Sequence, residues 1–190
     1  RDYLAETAAC ADAIIETAQR EDGSLYAEPG LITHHAPDPE NPVIVNDDGA
    51  GVTLLCAWRT TGKDRYLEAA KRFADWWTQQ DLDRLPHTFS TYTSMMLFLT
   101  DIARATGDPK YLGFIEDNAS RVFELQIDRD MRPLVNGAFR GEDMANHYRR
   151  GTKTGDYISL RSVSYGMIAL AKLAAKSAKE WGLAYSAFGF

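Results

Sequence analysis

Two pairs of carboxylates are the residues of this chain best suited to carry out chemistry. Asp47 and Asp48 stand just before a predicted helix, and Glu142 and Asp143 lie in a later predicted loop. Two carboxylates that flank a glycosidic bond can serve as the general acid and the general base of sugar hydrolysis. The sequence therefore predicts these four residues as catalytic candidates, although their separation cannot be deduced from spacing.

Both pairs also have a purely structural interpretation. An acidic residue in the first turn of a helix is stabilised by the helix dipole, so Asp47 or Asp48 can be a simple cap. Glu142 and Asp143 can belong to a solvated acidic loop or pair with nearby arginines. The residue pattern leaves both interpretations open.

A cluster around His147 and Tyr148 suggests a different reaction. A lyase acting on uronic acids must neutralise the sugar carboxylate, ease proton removal from the neighbouring carbon and protonate the leaving oxygen. Arg, His and Tyr side chains suit these roles, and an ordinary polar loop is the alternative. The residues predicted to contact substrate are His34, His35, His87, Arg140, His147, Tyr148 and Arg161.

Metal and cofactor sites are not expected. His34 and His35 are adjacent, and the sequence has no His-x-x-x-His or Cys-x-x-Cys spacing and no phosphate-binding Gly-rich loop. Cys10 and Cys56 stand among small apolar residues of helical segments, which predicts that both are buried.

The elements that must position these residues follow from a repeat. Residues 60–67 read TTGKDRYL and residues 105–112 read ATGDPKYL, with Gly, Tyr and Leu matching at a constant shift of 45 residues. A Gly just past one helix and a Pro in the first turn of the next predict a tight turn. We therefore predict hairpins of a mostly apolar inner helix followed by an amphipathic outer helix.

The pattern predicts an all-α chain of such antiparallel hairpins. An inner helix follows residues 46–49 and its outer helix ends near residue 80; the later helices are inner 91–105, outer 110–126 and inner 156–175. Residues 3–14 align with 66–77, so the chain is expected to open in an outer helix without its inner partner. We expect a remaining part of the array or a second copy of the chain to cover that helix, since a repeat cannot bury its apolar face alone.

The long connections from outer to inner helices define the candidate face. In an up-and-down array these loops lie at one end, at the N-terminal ends of the inner helices. All four histidines fall in them. Loops on a rigid scaffold commonly carry sites, and helix N-termini favour anionic ligands.

Composition limits the partners. The 190 residues are 45% hydrophobic with a net charge of -6, which predicts one soluble globular domain over 1–190 and no nucleic-acid binding. No apolar run reaches the roughly 18 residues of a membrane span, and no signal peptide is recognisable. Both a cytoplasmic location and export after processing stay open.

The alternating helices, the Thr-Gly-Asp-Pro-Lys-Tyr-Leu turn of residues 106–112 and the Asp-Asp-Gly-Ala-Gly segment of residues 47–51 resemble the α/α toroid of the six-hairpin glycosidase superfamily. That superfamily includes unsaturated glucuronyl hydrolases, sugar epimerases and the toroid domains of polysaccharide lyases. The resemblance implies part of a toroid of about twelve helices, with a substrate cleft at the N-terminal ends of the inner helices.

The function expected from this resemblance is glycoside hydrolysis of an oligosaccharide, with uronic-acid-containing sugars among the substrates. Three alternatives stay open: a polysaccharide lyase, a non-catalytic binding or assembly module, and a terpenoid-cyclase-like toroid. The last is suggested by residues 19–24, QREDGS, and 137–139, GAF, which resemble repeat segments of terpenoid cyclases and prenyltransferases.

Overall fold

The computed structural model describes residues 2–25, 50–82, 89–124, 126, 139 and 160–174. This part of the chain is 81% helical and contains no strand, which confirms the all-α prediction. Its helices are α1 (Tyr3–Ala13, continued by a π-helical turn over Ile14–Ala18), α2 (Ala50–Thr61), α3 (Asp64–Thr78), α4 (Phe89–Thr106), α5 (Lys110–Phe123) and α6 (Leu160–Ala174).

Both predicted tight turns are present, between α2 and α3 and between α4 and α5. Gly62 has φ 70° and Gly107 has φ 73°, the left-handed conformation that ends a helix without a Cβ penalty. The Gly62 N–H donates to the Trp58 carbonyl and the Gly107 N–H to the Ala103 carbonyl, each at 2.8 Å. We keep the names inner and outer for the first and second helix of each hairpin.

The chain divides into two compact units. The first contains Arg1–Gln80 and Asp101–Tyr111, and the second contains Asp81–Thr100 and Leu112–Phe190. Within the described residues no helix is long and apolar enough to cross a membrane. The prediction of one domain over 1–190 stays a prediction.

The core of the first unit is built on the amphipathic stripe of α3. Helix α2 packs against both α1 and α3. Residues of α3 spaced by three and four are buried: Tyr66, Ala69, Ala70, Phe73, Ala74 and Trp77. Phe73, Trp76 and Trp77 contact one another with ring centroids 5.3 to 6.2 Å apart. Burying each large apolar side chain stabilises the fold by about 1.5–3 kcal/mol, so this stripe fixes the orientation of α3.

The second unit buries the first part of α4 and one stripe of α6. Residues 95–100 of α4 are all buried, as expected for an inner helix that is apolar on all sides. In α6, Ile168, Ala169 and Lys172 are buried, while Ser164 and Met167 are exposed. A single backbone bridge joins Gln126 to Phe139, whose ring is also buried.

The prediction that the two cysteines are buried is wrong. Cys10 and Cys56 are free thiols on exposed surface. Helix α1 buries only Ala11, so the small residues around Cys10 do not mark a packed face. Cys56 shares its face of α2 with Arg59 and Thr60, which are exposed as well. Small residues fit either environment, and their presence therefore did not determine burial.

Candidate functional site

The predicted site lies almost entirely outside the described residues. This holds for all four catalytic candidates and for the substrate contacts in the loops: Asp47, Asp48, Glu142, Asp143, His34, His35, His87, Arg140, His147 and Tyr148. Arg161 is the second residue of α6, and only its backbone is described. Their convergence on one face therefore stays a prediction.

The described backbone locates the helix ends to which these loops connect. Helix α2 begins at Ala50, two residues after Asp48 in the chain, and α4 begins at Phe89, two residues after His87. Arg161 stands in the first turn of α6. A helix N-terminus carries a partial positive charge that attracts carboxylates and other anions. The helix starts are thus close in sequence to the predicted candidates.

A cluster of polar groups joins outer helix α1 to outer helix α3. Arg65 Nη2 lies 3.2 Å from Asp12 Oδ1 and 3.6 Å from Glu16 Oε1. The Arg65 guanidinium also lies over the ring of the fully buried Tyr66, 5.5 Å from its centroid. We call Asp12, Arg65 and Tyr66 the first outer-helix cluster.

Tyr66 is affected by the Asp12 carboxylate without an ideal hydrogen bond to it. The interaction with Asp12, with burial as the second cause, raises the pKa of the Tyr66 hydroxyl. The buried atoms Asp12 Oδ1 and Tyr66 Oη nevertheless have no hydrogen bond of standard geometry in the described structure.

The second outer-helix cluster, Asp75, Lys110 and Tyr111, repeats this arrangement between α3 and α5 with better geometry. Tyr111 Oη donates to Asp75 Oδ1 at 2.8 Å, and Lys110 Nζ lies 2.9 Å from the same oxygen. Lys110 Nζ is also 4.8 Å from the Tyr111 ring centroid. Burial and then the Asp75 hydrogen bond raise the pKa of Tyr111 to about 12. The bond to Asp75 raises the pKa of Lys110 as well.

These two clusters hold helices together and are poorly suited to proton transfer. A general acid or base works best with a pKa near the working pH. The pKa values of Tyr66, Lys110 and Tyr111 move upward, away from neutrality. Asp12 and Asp75, the carboxylates that they approach, belong to the neighbouring outer helix.

The repeat aligns the tyrosines of the two clusters but does not indicate their partners. Two features of the sequence could have indicated them. A cation, Arg65 or Lys110, stands directly before each repeat tyrosine, and an aspartate stands nine residues after the tyrosine of the previous outer helix. Asp12 follows Tyr3 at that spacing, and Asp75 follows Tyr66.

The turn after α1 makes a further contact with α3. The Gln19 side-chain amide donates to the Ala69 carbonyl at 2.8 Å, and Arg72 Nη2 donates to Gln19 Oε1 at 2.5 Å. Asp12 contacts the start of α3, and Gln19, seven residues later, contacts the middle of α3. The contacts therefore advance in the same direction along both segments. Helices α1 and α3 therefore run parallel.

Gly23 lets this turn approach α3. It has φ 89°, and a Cβ added there would lie 2.3 Å from the Arg72 carbonyl oxygen. Asp22 Oδ1 closes the turn by accepting from Ser24 N at 2.9 Å and Ser24 Oγ at 2.6 Å. The hydrogen bond from the Ser24 hydroxyl is the main reason that the pKa of Asp22 is lowered. In this structure, residues 19–24 dock one helix on another.

No protein-family model matches this chain, and no curated protein or solved structure matches it. The resemblance to the six-hairpin glycosidases therefore depends on the residues and the hairpin pattern alone.

Proposed function

We propose that this chain is a carbohydrate-active enzyme, a glycoside hydrolase built on part of an α/α toroid. The observation that carries the proposal is the position of Asp47 and Asp48 in the chain, three and two residues before the first residue of α2, the inner helix of a repeated inner–outer hairpin. In the superfamily that the chain resembles, the substrate cleft lies at this end of the inner helices.

The proposed reaction divides the carboxylates into two roles. A helix N-terminus favours the ionised form of a nearby carboxylate, so Asp47 or Asp48 is proposed as the base or nucleophile. Glu142 or Asp143 is proposed as the acid that protonates the glycosidic oxygen as the bond to carbon breaks. Asp48 and Asp143 are the first pair to test.

The proposed substrates are oligosaccharides that contain a uronic acid. The predicted substrate contacts include Arg140 and Arg161, together with His147 and Tyr148. Arginine binds a carboxylate through two parallel hydrogen bonds, which suits recognition of the acidic sugar. The same charged group distinguishes these sugars from neutral ones, so neutral oligosaccharides are expected to be poorer substrates.

The test incubates the full chain with uronic-acid oligosaccharides and measures new reducing ends. Asp48→Asn and Asp143→Asn should each lower kcat by about 10²–10⁴ while substrate binding is kept, because general acid–base catalysis typically contributes that much. Asp117→Asn is the matched control, since Asp117 is an exposed aspartate of outer helix α5. It should leave kcat unchanged.

Three outcomes contradict the proposal. A new unsaturated sugar, detected by its ultraviolet absorbance, would identify a lyase. Sugar binding without turnover in the unmodified chain would indicate a binding module. Full activity in both Asp48→Asn and Asp143→Asn would show that the catalytic carboxylates were assigned wrongly.

A further inference from the structure

Successive outer helices are joined twice in the same way. The C-terminal half of α1 places Asp12 3.2 Å from Arg65, the residue before Tyr66 at the start of α3. The C-terminal half of α3 places Asp75 2.8 Å from Tyr111 and 2.9 Å from Lys110 at the start of α5. Both tyrosine side chains are completely buried. The start of an outer helix is thus a surface that receives an aspartate-bearing helix end.

The start of α1 has the same residues but lacks this cover. Tyr3 is 70% exposed and Leu4 is 58% exposed, whereas their counterparts Tyr66 and Leu67 are buried and half-buried. Tyr3 precedes Asp12 by the nine residues that separate Tyr66 from Asp75, so the register of the two helices is the same. Two large apolar side chains are therefore exposed at a position that is packed in α3 and α5.

We propose that the Tyr3–Leu4 end of α1 is a docking surface for the C-terminal half of another outer helix that presents an aspartate to the Tyr3 hydroxyl. This inference is independent of the proposed enzymatic activity. It follows from the two outer-helix clusters, which show what covers the equivalent tyrosines.

The charges at this end are compatible with such a helix. The residues directly before Tyr3 are Arg1 and Asp2, and those before Tyr66 are Asp64 and Arg65, so each pair is one acid and one base in opposite order. Asp2 Oδ1 caps α1 by accepting from Leu4 N and Ala5 N, both at 3.1 Å. The positive N-terminal end of the α1 dipole thereby offsets the negative charge of Asp2.

A second copy of the chain fits this surface less well. The aspartates at the required register, Asp12 and Asp75, already contact Arg65 and Lys110. Outer helix α5 carries Ser120 at the equivalent position, nine residues after Tyr111. A separate helix with its own aspartate is therefore the proposed occupant.

The test supplies such a helix within the full chain. A copy of residues 64–110 is placed directly ahead of Tyr3, in place of residues 1 and 2. This copy contains α3, α4 and the tight turn, so it presents Asp75 and Lys110 to Tyr3 at the sequence spacing found at Tyr111. The readout is the titration of the Tyr3 ring by NMR, assigned with Tyr3→Phe.

The expected result is a change in the pKa of Tyr3. With Asp75 present in the added copy, it should rise towards the value of about 12 that Tyr111 reaches. The matched control carries Asp75→Asn in the added copy alone and should show a smaller rise. An unchanged Tyr3 titration in the folded, extended chain would overturn the proposal, as would equal titration in the control.

Two further measurements keep the proposal open to refutation. If the extended chain fails to fold, a peptide of residues 64–82 is added to the unmodified chain instead. Docking is supported if this peptide changes the NMR shifts of the Tyr3 ring and the same peptide with Asp75→Asn does not. If the unmodified peptide changes no Tyr3 shift, the proposal is overturned. Light scattering of the unmodified chain should give a monomer. A dimer that Leu4→Asp dissociates would show that a second copy is the occupant.

Discussion

Replacing Gly23 by alanine should destabilise the protein far more than the same change at the other two left-handed glycines. All three have positive φ, but only Gly23 has backbone against the position of a new Cβ. That Cβ would lie 2.3 Å from the Arg72 carbonyl oxygen and 2.8 Å from its carbon. At Gly62 and Gly107 a Cβ would meet nothing within 4 Å. The pair Gly23→Ala and Gly62→Ala thus separates close approach from backbone conformation.

The magnitude follows from the contacts. The left-handed conformation costs alanine roughly 1–2 kcal/mol, and this is the whole loss expected for Gly62→Ala. Arg72 lies inside α3, so relief of the clash requires the turn to move away. That movement breaks the Gln19 bond to Ala69 and the Arg72 bond to Gln19, worth about 1 kcal/mol and about 1.5–3 kcal/mol. The expected total for Gly23→Ala is about 3.5–6 kcal/mol.

Urea unfolding followed by far-ultraviolet circular dichroism gives both free energies. Tryptophan fluorescence gives a second probe, because Trp76 and Trp77 are buried residues of α3, the helix on which this turn docks. If Gly23→Ala and Gly62→Ala lower the free energy of unfolding by the same amount, the predicted clash at Gly23 does not exist.

Two further predictions concern the outer-helix clusters. Tyr111→Phe should lower the free energy of unfolding in urea by about 1 kcal/mol, because it removes the 2.8 Å hydrogen bond to Asp75. Tyr66→Phe should be nearly neutral, because the Tyr66 hydroxyl has no well-formed hydrogen bond to lose. Equal losses for the two substitutions would contradict this. The raised pKa of Tyr111 gives a stability contribution that is complete below its unfolded pKa of about 10 and is lost as the pH rises through about 12. From pH 9 upward, the free energy of unfolding measured with urea should therefore fall more steeply for the unmodified chain than for Tyr111→Phe. Parallel curves for the two proteins would contradict this prediction.

The tight turns could be predicted because their determinants are local. Gly62 and Gly107 each end one helix within a few residues of the next, and the left-handed conformation is a property of glycine itself. Helix ends were less predictable, since they depend on caps and packing. Helix α4 begins at Phe89 instead of residue 91, and α5 ends at Phe123 instead of 126. The predicted start of the last inner helix at residue 156 lies outside the described residues.

The contacts between outer helices could not be predicted from local patterns. The bond from Tyr111 to Asp75 joins residues 36 apart, and that from Arg72 to Gln19 joins residues 53 apart. Such pairs depend on how far one helix is displaced along its neighbour. The predicted catalytic carboxylates depend on the same kind of long-range arrangement, which is why their pairing stays a prediction.

The π-helical turn at the end of α1 makes the length of this segment important. The Gln19 N–H bonds the Ile14 carbonyl five residues back, one residue more than in an α-helix. A π turn holds one residue more than an α turn, so deleting one residue from 14–18 would let the segment rewind as an α-helix with Asp12 and Gln19 still facing α3. Inserting one residue there would instead rotate what precedes it by about 100° relative to Gln19. Natural variants of this protein should therefore tolerate a single-residue deletion in 14–18 more readily than a single-residue insertion.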